Sequence, residues 1–341
     1  MTVNLDNHSG DPRTSPEPAD PGTATATATT PGTATGTGPD AARPTDEPAP
    51  APALADVPGT GPDEPASAGR IRPAARTLAR RPGMLLAGLL VLLVLVAALA
   101  PGLFTGIDPD ATDGPEKLQP PSGAHWFGTD ELGRDVFSRV IHGSALTVEG
   151  TLIAVGLAAA GGLLIGVLAG FFGRWLDAVL MRAVDVVLAV PPLLLALTIV
   201  TALGFGTVPT ALAVGIGITP GFARTTRAEV LKVKTLPYIE AARTGGAGRL
   251  RILLRHVLPN SWGPVLVLAV LDAGTAILVI SSLSFLGFGA APPAADWGDL
   301  ISDGRDYLVT SPYLSLLPGL FVVVVVFSIN HLARSIEELQ R

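Results

Sequence analysis

The chain contains no cysteine among its 341 residues. It can therefore form no disulfide, no thiolate zinc site and no covalent intermediate on a cysteine nucleophile. Charged residues are also scarce, at 15% of the chain, against about 25% in an average soluble domain. Hydrophobic residues make up 48% of the chain. This composition excludes an ordinary soluble domain and predicts an integral membrane protein.

Several patterns of catalytic and nucleotide-binding proteins are missing from the sequence. No Gly-x-x-x-x-Gly-Lys-Ser/Thr loop occurs, so the chain has no P-loop for ATP. The histidines show no metal-ligand spacing such as His-Glu-x-x-His, and no Ser-His-Asp arrangement is indicated. We therefore expect a protein that is not an enzyme, with no catalytic residue, no metal site and no cofactor on this chain.

Residues 1–69 differ in composition from the rest of the chain. They are rich in proline, threonine, alanine and glycine, and they contain no aromatic residue. Such a segment buries too little apolar surface to offset the entropy lost on ordering, so a disordered tail is predicted. A solvated linker and a regulatory or partner-binding tail both fit this composition. The remaining residues, 70–341, form the predicted membrane domain.

Six apolar segments of the membrane domain are candidates to cross a bilayer. A hydrocarbon core of about 30 Å needs about 20 apolar residues in a helix. Backbone polar groups in lipid must bond within their own segment, so all six should be helices. The fourth is the weakest, because it is short and interrupted by glycine and proline. The predicted spans are residues 84–104, 146–172, 178–203, 208–223, 263–288 and 314–332.

The first apolar segment has a second interpretation. Ala98-Leu99-Ala100 is similar to the cleavage site of a signal peptide. A leader of this length would be unusual, and further spans follow, which favours an uncleaved helix.

Positive charge is unevenly distributed between the loops. Residues 70–81 and the loop at 224–262 are rich in arginine and lysine, whereas the loops after the first and fifth spans are rich in aspartate. Cytoplasmic loops carry the excess of positive charge, so we expect a multi-pass plasma-membrane protein with both termini in the cytoplasm. Tyr238 is the single aromatic residue of residues 224–255, so anionic lipid and an acidic partner are expected there rather than nucleic acid.

The basic loop contains a pattern of short helices. Thr235 and Pro237 indicate a helix start, with a capping hydroxyl followed by a proline in the first turn. Residues 238–244 can then form about two turns. Gly246 and its neighbouring glycines should end this helix, because glycine tolerates the left-handed conformation. Residues 250–257 can form a second helix before the fifth span.

This loop resembles the cytoplasmic coupling motif of permease subunits of binding-protein-dependent ABC importers. That motif reads Glu-Ala-Ala, three residues, Gly, nine residues, then Ile-x-Leu-Pro, and here His256 replaces the isoleucine. A His-Val-Leu-Pro-Asn ending resembles the peptide and nickel branch of the family. Residues 127–139 (FGTDELGRDVFSR), 177–185 (DAVLMRAVD), 283–289 (LSFLGFG) and 297–298 (WG) resemble segments of the same branch.

The resemblance implies an all-α permease of six transmembrane helices in a bacterial plasma membrane. The most similar type is the second permease of a dipeptide, oligopeptide or nickel importer. It implies that the helix at residues 238–246 docks into a cytoplasmic ATPase, which binds ATP and magnesium on a separate chain. The implied partners are a second permease, one or two ATPase subunits and an extracytoplasmic binding protein. The residues implied at the ATPase contact are Tyr238, Glu240, Ala241, Ala242, Arg243, Gly246, Leu258 and Pro259.

Two carboxylates, Asp185 and Asp272, fall within predicted spans. A charged side chain at the bilayer centre costs about 2.5–3.5 kcal/mol on insertion scales, so each should face a cavity or a partner. One interpretation places both on the translocation pathway, in contact with the amino end of a peptide or with a cation. The other is a structural hydrogen bond, for example between Asp185 and Arg182 one helical turn away.

Two other functions fit parts of the sequence. A secondary transporter driven by an ion gradient could use Asp185 and Asp272 as a relay, but no inverted repeat is apparent and residues 240–259 would be unexplained. A membrane anchor would need neither a broken fourth span nor intramembrane carboxylates. The sequence therefore predicts an ATP-driven peptide importer subunit, and a nickel-chelate or other solute importer of the same family stays open.

Overall fold

The computed structural model describes residues 82–294 and 296–340, and most of these residues are helical. The predicted all-α membrane fold is confirmed. The tail at residues 1–69 and the arginine-rich residues 70–81 lie outside the described part of the chain. The helices are α1 (Pro82–Leu99), α2 (Val136–Phe172), α3 (Arg174–Leu188), α4 (Pro192–Leu203), α5 (Thr207–Lys234), α6 (Pro237–Thr244), α7 (Arg249–Ile252), α8 (Leu258–Leu283), α9 (Trp297–Asp303) and α10 (Tyr313–Gln340), with π-helical segments at Leu253–Val257 and Ser284–Phe288.

Four helices in the described part of the chain are long and apolar enough to cross a membrane. They are α1, α2, α10 and the continuous helical stretch Arg249–Phe288, which contains α8. The bent pair of α3 and α4 adds a fifth span if it is counted as one. The remaining predicted span, the fourth at residues 208–223, lies in α5, which has 28 residues and carries basic side chains in its second half. Its lower hydropathy accords with its position inside the bundle, where it packs against α2, α4 and α8.

Small residues bring the backbones of α2 and α5 close together. Gly162, Gly166 and Gly170 are spaced four apart, so they share one face of α2. They meet successive turns of α5, and a Cβ atom added at Gly166 would lie only 2.5 Å from the Cβ atom of Thr226. Small residues at this spacing permit close helix packing in membranes. The pattern of contacts also shows that α2 and α5 run in the same direction.

The segment predicted as a single third span, residues 178–203, consists of two helices. α3 ends at Leu188, α4 begins at Pro192, and the two helices meet at 92°. Pro191 and Pro192 account for the break, because proline lacks the backbone N–H of a continuing helix and disfavours the helical conformation of the residue before it. Hydropathy averaged over the segment does not detect such a break.

Three other predicted boundaries differ from the structure. α1 ends at Leu99 rather than near residue 104, since Pro101 begins a separate 3₁₀ turn. α2 begins at Val136 rather than near residue 146, with the carboxylate of Asp135 accepting a hydrogen bond from the N-terminal turn. α5 continues to Lys234, so residues 224–234 of the predicted loop are helical. Apolar content marks the part of a helix in the core, but not the polar turns that extend it.

The α1–α2 loop (residues 100–135) contacts the α8–α10 segment (residues 289–294 and 296–312) at one end of the bundle. Arg139 at the start of α2 bridges Asp130 of the loop at 3.1 Å and Asp303 of the segment at 3.4 Å. Trp297 is fully buried, and its indole N–H donates to the carbonyl of Val140 at 3.1 Å. Residues 127–139 therefore help to join the two segments.

Candidate functional site

The connecting element (residues 235–257) links α5 to α8 and contains the helical pattern found in the sequence. Its first helix, α6, has Pro237 in its first turn. Leu236 is the N-cap residue and no side chain caps the helix, so the cap predicted at Thr235 is wrong. The Thr235 hydroxyl instead donates to the carbonyl of Lys232 at 2.8 Å. The backbone N–H of Thr235 donates to the same carbonyl at 3.3 Å, so Thr235 closes the last turn of α5.

α6 ends in a Schellman motif at Gly246. The amide of Gly246 donates to the carbonyl of Arg243 at 3.1 Å, and the amide of Ala247 donates to the carbonyl of Ala242 at 3.0 Å. Gly246 has a φ of 82°, in the left-handed region that a residue with a Cβ atom adopts only with strain. The helix therefore ends at the glycine that the sequence singled out.

The buried side of α6 fixes the helix to the bundle. Ile239 is fully buried and packs in one apolar cluster with Val230 and Val233 of α5. Ile252 and Val257, from the second half of the connecting element, belong to the same cluster. Ile239 was missed in the sequence, where the only signal is a lone aliphatic residue among polar and small ones.

Lys234 makes a second attachment next to this cluster. Its Nζ atom donates to the carbonyls of Gly170 and Phe171, at 3.1 and 2.9 Å, in the last turn of α2. A cation at the carbonyl end of a helix is favoured by the helix dipole. The end of α5, from which the connecting element starts, is therefore tied to α2.

The opposite side of α6 is exposed. Ala241 lies on it and Glu240 lies on its flank, both exposed. Arg243, one turn from Ile239, is exposed at the edge of the buried side, and the Tyr238 side chain is 42% exposed. The charged groups of Glu240 and Arg243 make no hydrogen bond or ion pair with any residue in the described ranges. A short helix that is packed on the bundle through Ile239 thus exposes two charged groups of opposite sign.

The other predicted contact residues divide between surface and interior. Gly246 and Pro259 are exposed, whereas Ala242 and Leu258 are partly buried against the cluster that contains Ile239. The structure adds one exposed apolar patch that the sequence did not single out. It consists of Leu250, 66% exposed, and Leu254, 55% exposed.

The two carboxylates expected within spans have different surroundings. Asp185 accepts a hydrogen bond from Nη2 of Arg224 at 2.7 Å, so its partner lies on α5 and is not Arg182. Asp272 is partly buried in α8 and has no hydrogen bond or ion pair within residues 82–294 and 296–340. It shares a stripe of α8 with Leu268 and Ala276, which belong to two apolar clusters containing residues of α5. The two carboxylates share no hydrogen-bond partner.

Titratable groups with shifted pKa values lie in the α1–α2 loop and in the α8–α10 segment, at the other end of the bundle from the connecting element. Asp296 accepts a hydrogen bond from the Ser284 hydroxyl at 2.6 Å, and burial raises the pKa of its carboxyl. Burial, together with the charge of Asp296, raises the pKa of Asp299 to about 7. Hydrogen bonding to Asp135 raises the pKa of His125 in the α1–α2 loop. Within the described residues, no group of three or more metal-ligating side chains is placed to hold a metal ion.

Comparison with protein families decides what kind of protein carries these features. Residues 162–340, more than half of the chain, match the family described as "Binding-protein-dependent transport system inner membrane component". The chain belongs to this family. The matched part contains the end of α2 and all of the chain from α3 to α10, and therefore the connecting element and both intramembrane carboxylates.

This inner membrane component has curated relatives with known names. It is 39% identical over 237 residues to the dipeptide transport system permease protein DppC of Alkalihalophilus pseudofirmus, covering 70% of this chain and 78% of the relative. It is 36% identical over 253 residues to the glutathione transport system permease protein GsiD of Pectobacterium atrosepticum, covering 74% and 84%. Among solved structures, an inward-facing MetNI methionine ABC transporter aligns with a TM-score of 0.47 and 19% identity, over 60% of this chain and 98% of that chain.

Family membership and the apolar helices together make the chain a multi-pass membrane translocation subunit of a binding-protein-dependent transport system.

Proposed function

We propose that this permease forms half of the translocation pathway of an ATP-driven importer of di- or oligopeptides. The other half is a second permease subunit, and an extracytoplasmic binding protein delivers the substrate. One or two cytoplasmic ATPase subunits bind ATP and magnesium and hydrolyse the ATP, so this chain is not itself an enzyme. The peptide class is supported by relatives that are named for dipeptide and glutathione transport.

The observation that carries this proposal is the way in which the connecting element is packed on the bundle and exposed to solvent. Ile239 fixes α6 to the bundle and Gly246 ends the helix in the left-handed conformation, while Glu240, Ala241 and Arg243 are exposed. A short helix of this kind, which is packed on the bundle through one side chain and exposes charged groups, fits a cleft on a partner protein. Tyr238, at the edge of α6, and the exposed Leu250 and Leu254 provide apolar contacts for the same partner.

The mechanism follows from the attachments of α6. Closure of the ATPase subunits around ATP displaces α6, and the cluster around Ile239 transfers this displacement to α5. Two such helices, one on each permease, then bias the pair between inward-facing and outward-facing states. We expect the connecting element and both termini to lie in the cytoplasm of a bacterial cell, because the residues on either side of α6 are rich in arginine and cytoplasmic loops carry the excess of positive charge.

Asp272 is our candidate for a residue on the substrate pathway. A partly buried carboxylate without a partner in a membrane span is costly unless it faces water or a ligand. The amino group of a peptide is the complementary cation. Asp185 is exposed, but its charge is balanced by Arg224, so it is the weaker candidate for a substrate contact.

Uptake in cells lacking the chain tests this function. Labelled L-alanyl-L-alanine, a labelled tetrapeptide and nickel would be supplied to deletion cells complemented with wild type, Gly246→Val or Gly248→Val. A β-branched residue at the φ of Gly246 costs about 1–2 kcal/mol in strain and disturbs the end of α6. Gly248 lies two residues away with a φ of −64°, and neither glycine has a neighbouring atom within 4 Å of an added Cβ.

The expected result is peptide uptake restored by wild type and Gly248→Val, and strongly reduced with Gly246→Val at equal membrane abundance. If only nickel uptake is lost in the deletion cells and recovered with wild type, the substrate would instead be a nickel chelate. Normal peptide uptake in the deletion cells would contradict a peptide substrate, and full activity of Gly246→Val would contradict docking through α6.

A further inference from the structure

α3 is held against its neighbours by very little apolar packing. Only Val184 is buried among its side chains. α4, on the other side of the proline break, is different, because Ala196 and Val200 pack with residues of α5 in a continuous apolar cluster. The position of α3 must therefore depend on other contacts.

Two ion pairs supply these contacts, and both join α3 to α5. Asp177 accepts two hydrogen bonds from Arg227, from Nε at 2.6 Å and from Nη2 at 2.7 Å. Asp185 accepts one from Nη2 of Arg224 at 2.7 Å. The two carboxylates are about 12 Å apart along α3, and the two arginines are about one turn apart on α5. A two-point attachment of this kind fixes the orientation of α3 as well as its position.

The ion pair between Asp185 and Arg224 is more exposed than the pair between Asp177 and Arg227. The side chains of Asp185 and Arg224 are 50% and 54% exposed, against 22% and 35% for Asp177 and Arg227. Because charged side chains are costly in hydrocarbon, this face of α3 and α5 lies against water or a polar partner rather than against lipid. An ion pair in that position can break and re-form as the helices move.

The same stretch of α5 leads directly to the helix that docks the ATPase. Val230 and Val233 pack on Ile239 of α6, and they follow Arg224 and Arg227 within about two turns. Only Thr235 and Leu236 separate α5 from α6. A displacement of α6 is therefore passed to the part of α5 that carries both arginines.

We propose that the ion pairs Asp177–Arg227 and Asp185–Arg224 transmit the movement of α6 to α3 and, through the 92° bend, to α4. The four side chains are positioning residues, since they act through the helices and do not touch ATP. This inference rests on the proposed function, because it assumes an ATPase on α6. It explains why a helix with one buried side chain carries two carboxylates that face arginines of a neighbouring helix.

The test measures uptake and hydrolysis on the same sample. The full permease complex, with its ATPase subunits, would be purified and reconstituted with its binding protein in liposomes. Labelled L-alanyl-L-alanine uptake and ATP hydrolysis would be compared for wild type, Asp185→Asn, Arg224→Gln and the double variant Asp185→Arg/Arg224→Asp. Arg182→Gln is the matched control, because Arg182 is exposed one turn from Asp185 and has no ion pair in the described ranges.

We expect both single variants to keep their ATPase subunits and their hydrolysis, while uptake per ATP falls by about two- to fivefold, the range for loss of an exposed ion pair. The double variant should recover most of the loss, and Arg182→Gln should match wild type. Unchanged uptake per ATP in the single variants would overturn the inference, as would a parallel fall of uptake and hydrolysis that the double variant does not reverse. Absence of an ATPase from the wild-type complex would instead contradict the proposed function, and this inference with it.

Discussion

Ile239 shows how much the exposed surface of α6 depends on one side chain. It is the only buried residue of α6, and it fixes which side of the helix remains exposed. Capping and glycine preferences in the sequence predict the helix and its end at Gly246, but they do not indicate which side of the helix is buried. That choice depends on Val230, Val233, Ile252 and Val257, which come from segments before and after α6.

Asp299 carries a prediction about pH. Burial and the nearby Asp296 carboxylate raise its pKa from 3.8 to about 7, so the folded protein binds this proton more tightly than the unfolded chain does. The resulting stability is present below pH 3.8 and is lost as the pH rises towards 7. Asp299→Asn, a neutral side chain of similar shape, should therefore make the melting temperature of the purified complex less dependent on pH between about 4 and 7.

The comparison requires a control for net charge. Asp306→Asn removes a carboxylate of the same segment whose side chain is 77% exposed, and it should leave the pH dependence as in wild type. Asp296 and His125 also have raised pKa values, so a smaller decline with pH should persist in Asp299→Asn. The same pH dependence in Asp299→Asn and wild type would contradict the assigned pKa.

At the scale of elements, the contact between α2 and α5 depends on glycine. Gly166→Leu would force a side chain into a space where even a Cβ atom lies 2.5 Å from Thr226, so the helices must separate. Overpacking of this kind costs about 1–3 kcal/mol or more. The expected result is a marked fall in the melting temperature of the detergent-solubilised complex, or loss of the assembled complex.

Gly156→Leu is the matched change on the same helix. No atom lies within 4 Å of a Cβ added at Gly156, so this variant should assemble and melt like wild type. Equal behaviour of the two leucine variants would show that α2 and α5 do not pack as the structure has them.

The elements also show where sequence reasoning succeeds and where it stops. Apolar content located every segment that became a long helix, because lipid and core both select for it. It missed the bend at Pro191 and Pro192, since an average over a window hides two residues. It also missed the continuation of α5 to Lys234, because polar turns become helical only when another part of the protein, here the cluster with Ile239, supports them.

The partner of Asp185 illustrates the same limit for the candidate site. Spacing along one helix suggested Arg182, which is one turn away. The structure pairs Asp185 with Arg224, 39 positions along the chain. Contacts between helices depend on how the helices cross, and a single sequence does not contain that information.

For the whole molecule, the absence of cysteine allows a direct test of orientation. Lys117→Cys in the α1–α2 loop and Arg249→Cys in α7 would each carry the only thiol of the chain, and both positions are exposed. The bias of positive charge predicts that a membrane-impermeant maleimide labels the first in intact cells and the second only after lysis. The reverse pattern would show that the connecting element lies outside the cell, where it could not meet an ATPase.

ATP-driven uptake by the purified complex tests the central claim most directly. The tagged chain would be isolated with the subunits that co-purify, reconstituted in liposomes with its binding protein, and supplied with labelled L-alanyl-L-alanine. Our account predicts uptake that requires hydrolysable ATP on the side of the connecting element and persists when ionophores collapse proton and sodium gradients. Uptake by the chain alone that needs an ion gradient and is indifferent to ATP would contradict it, and would make Asp272 part of an ion-coupled carrier instead.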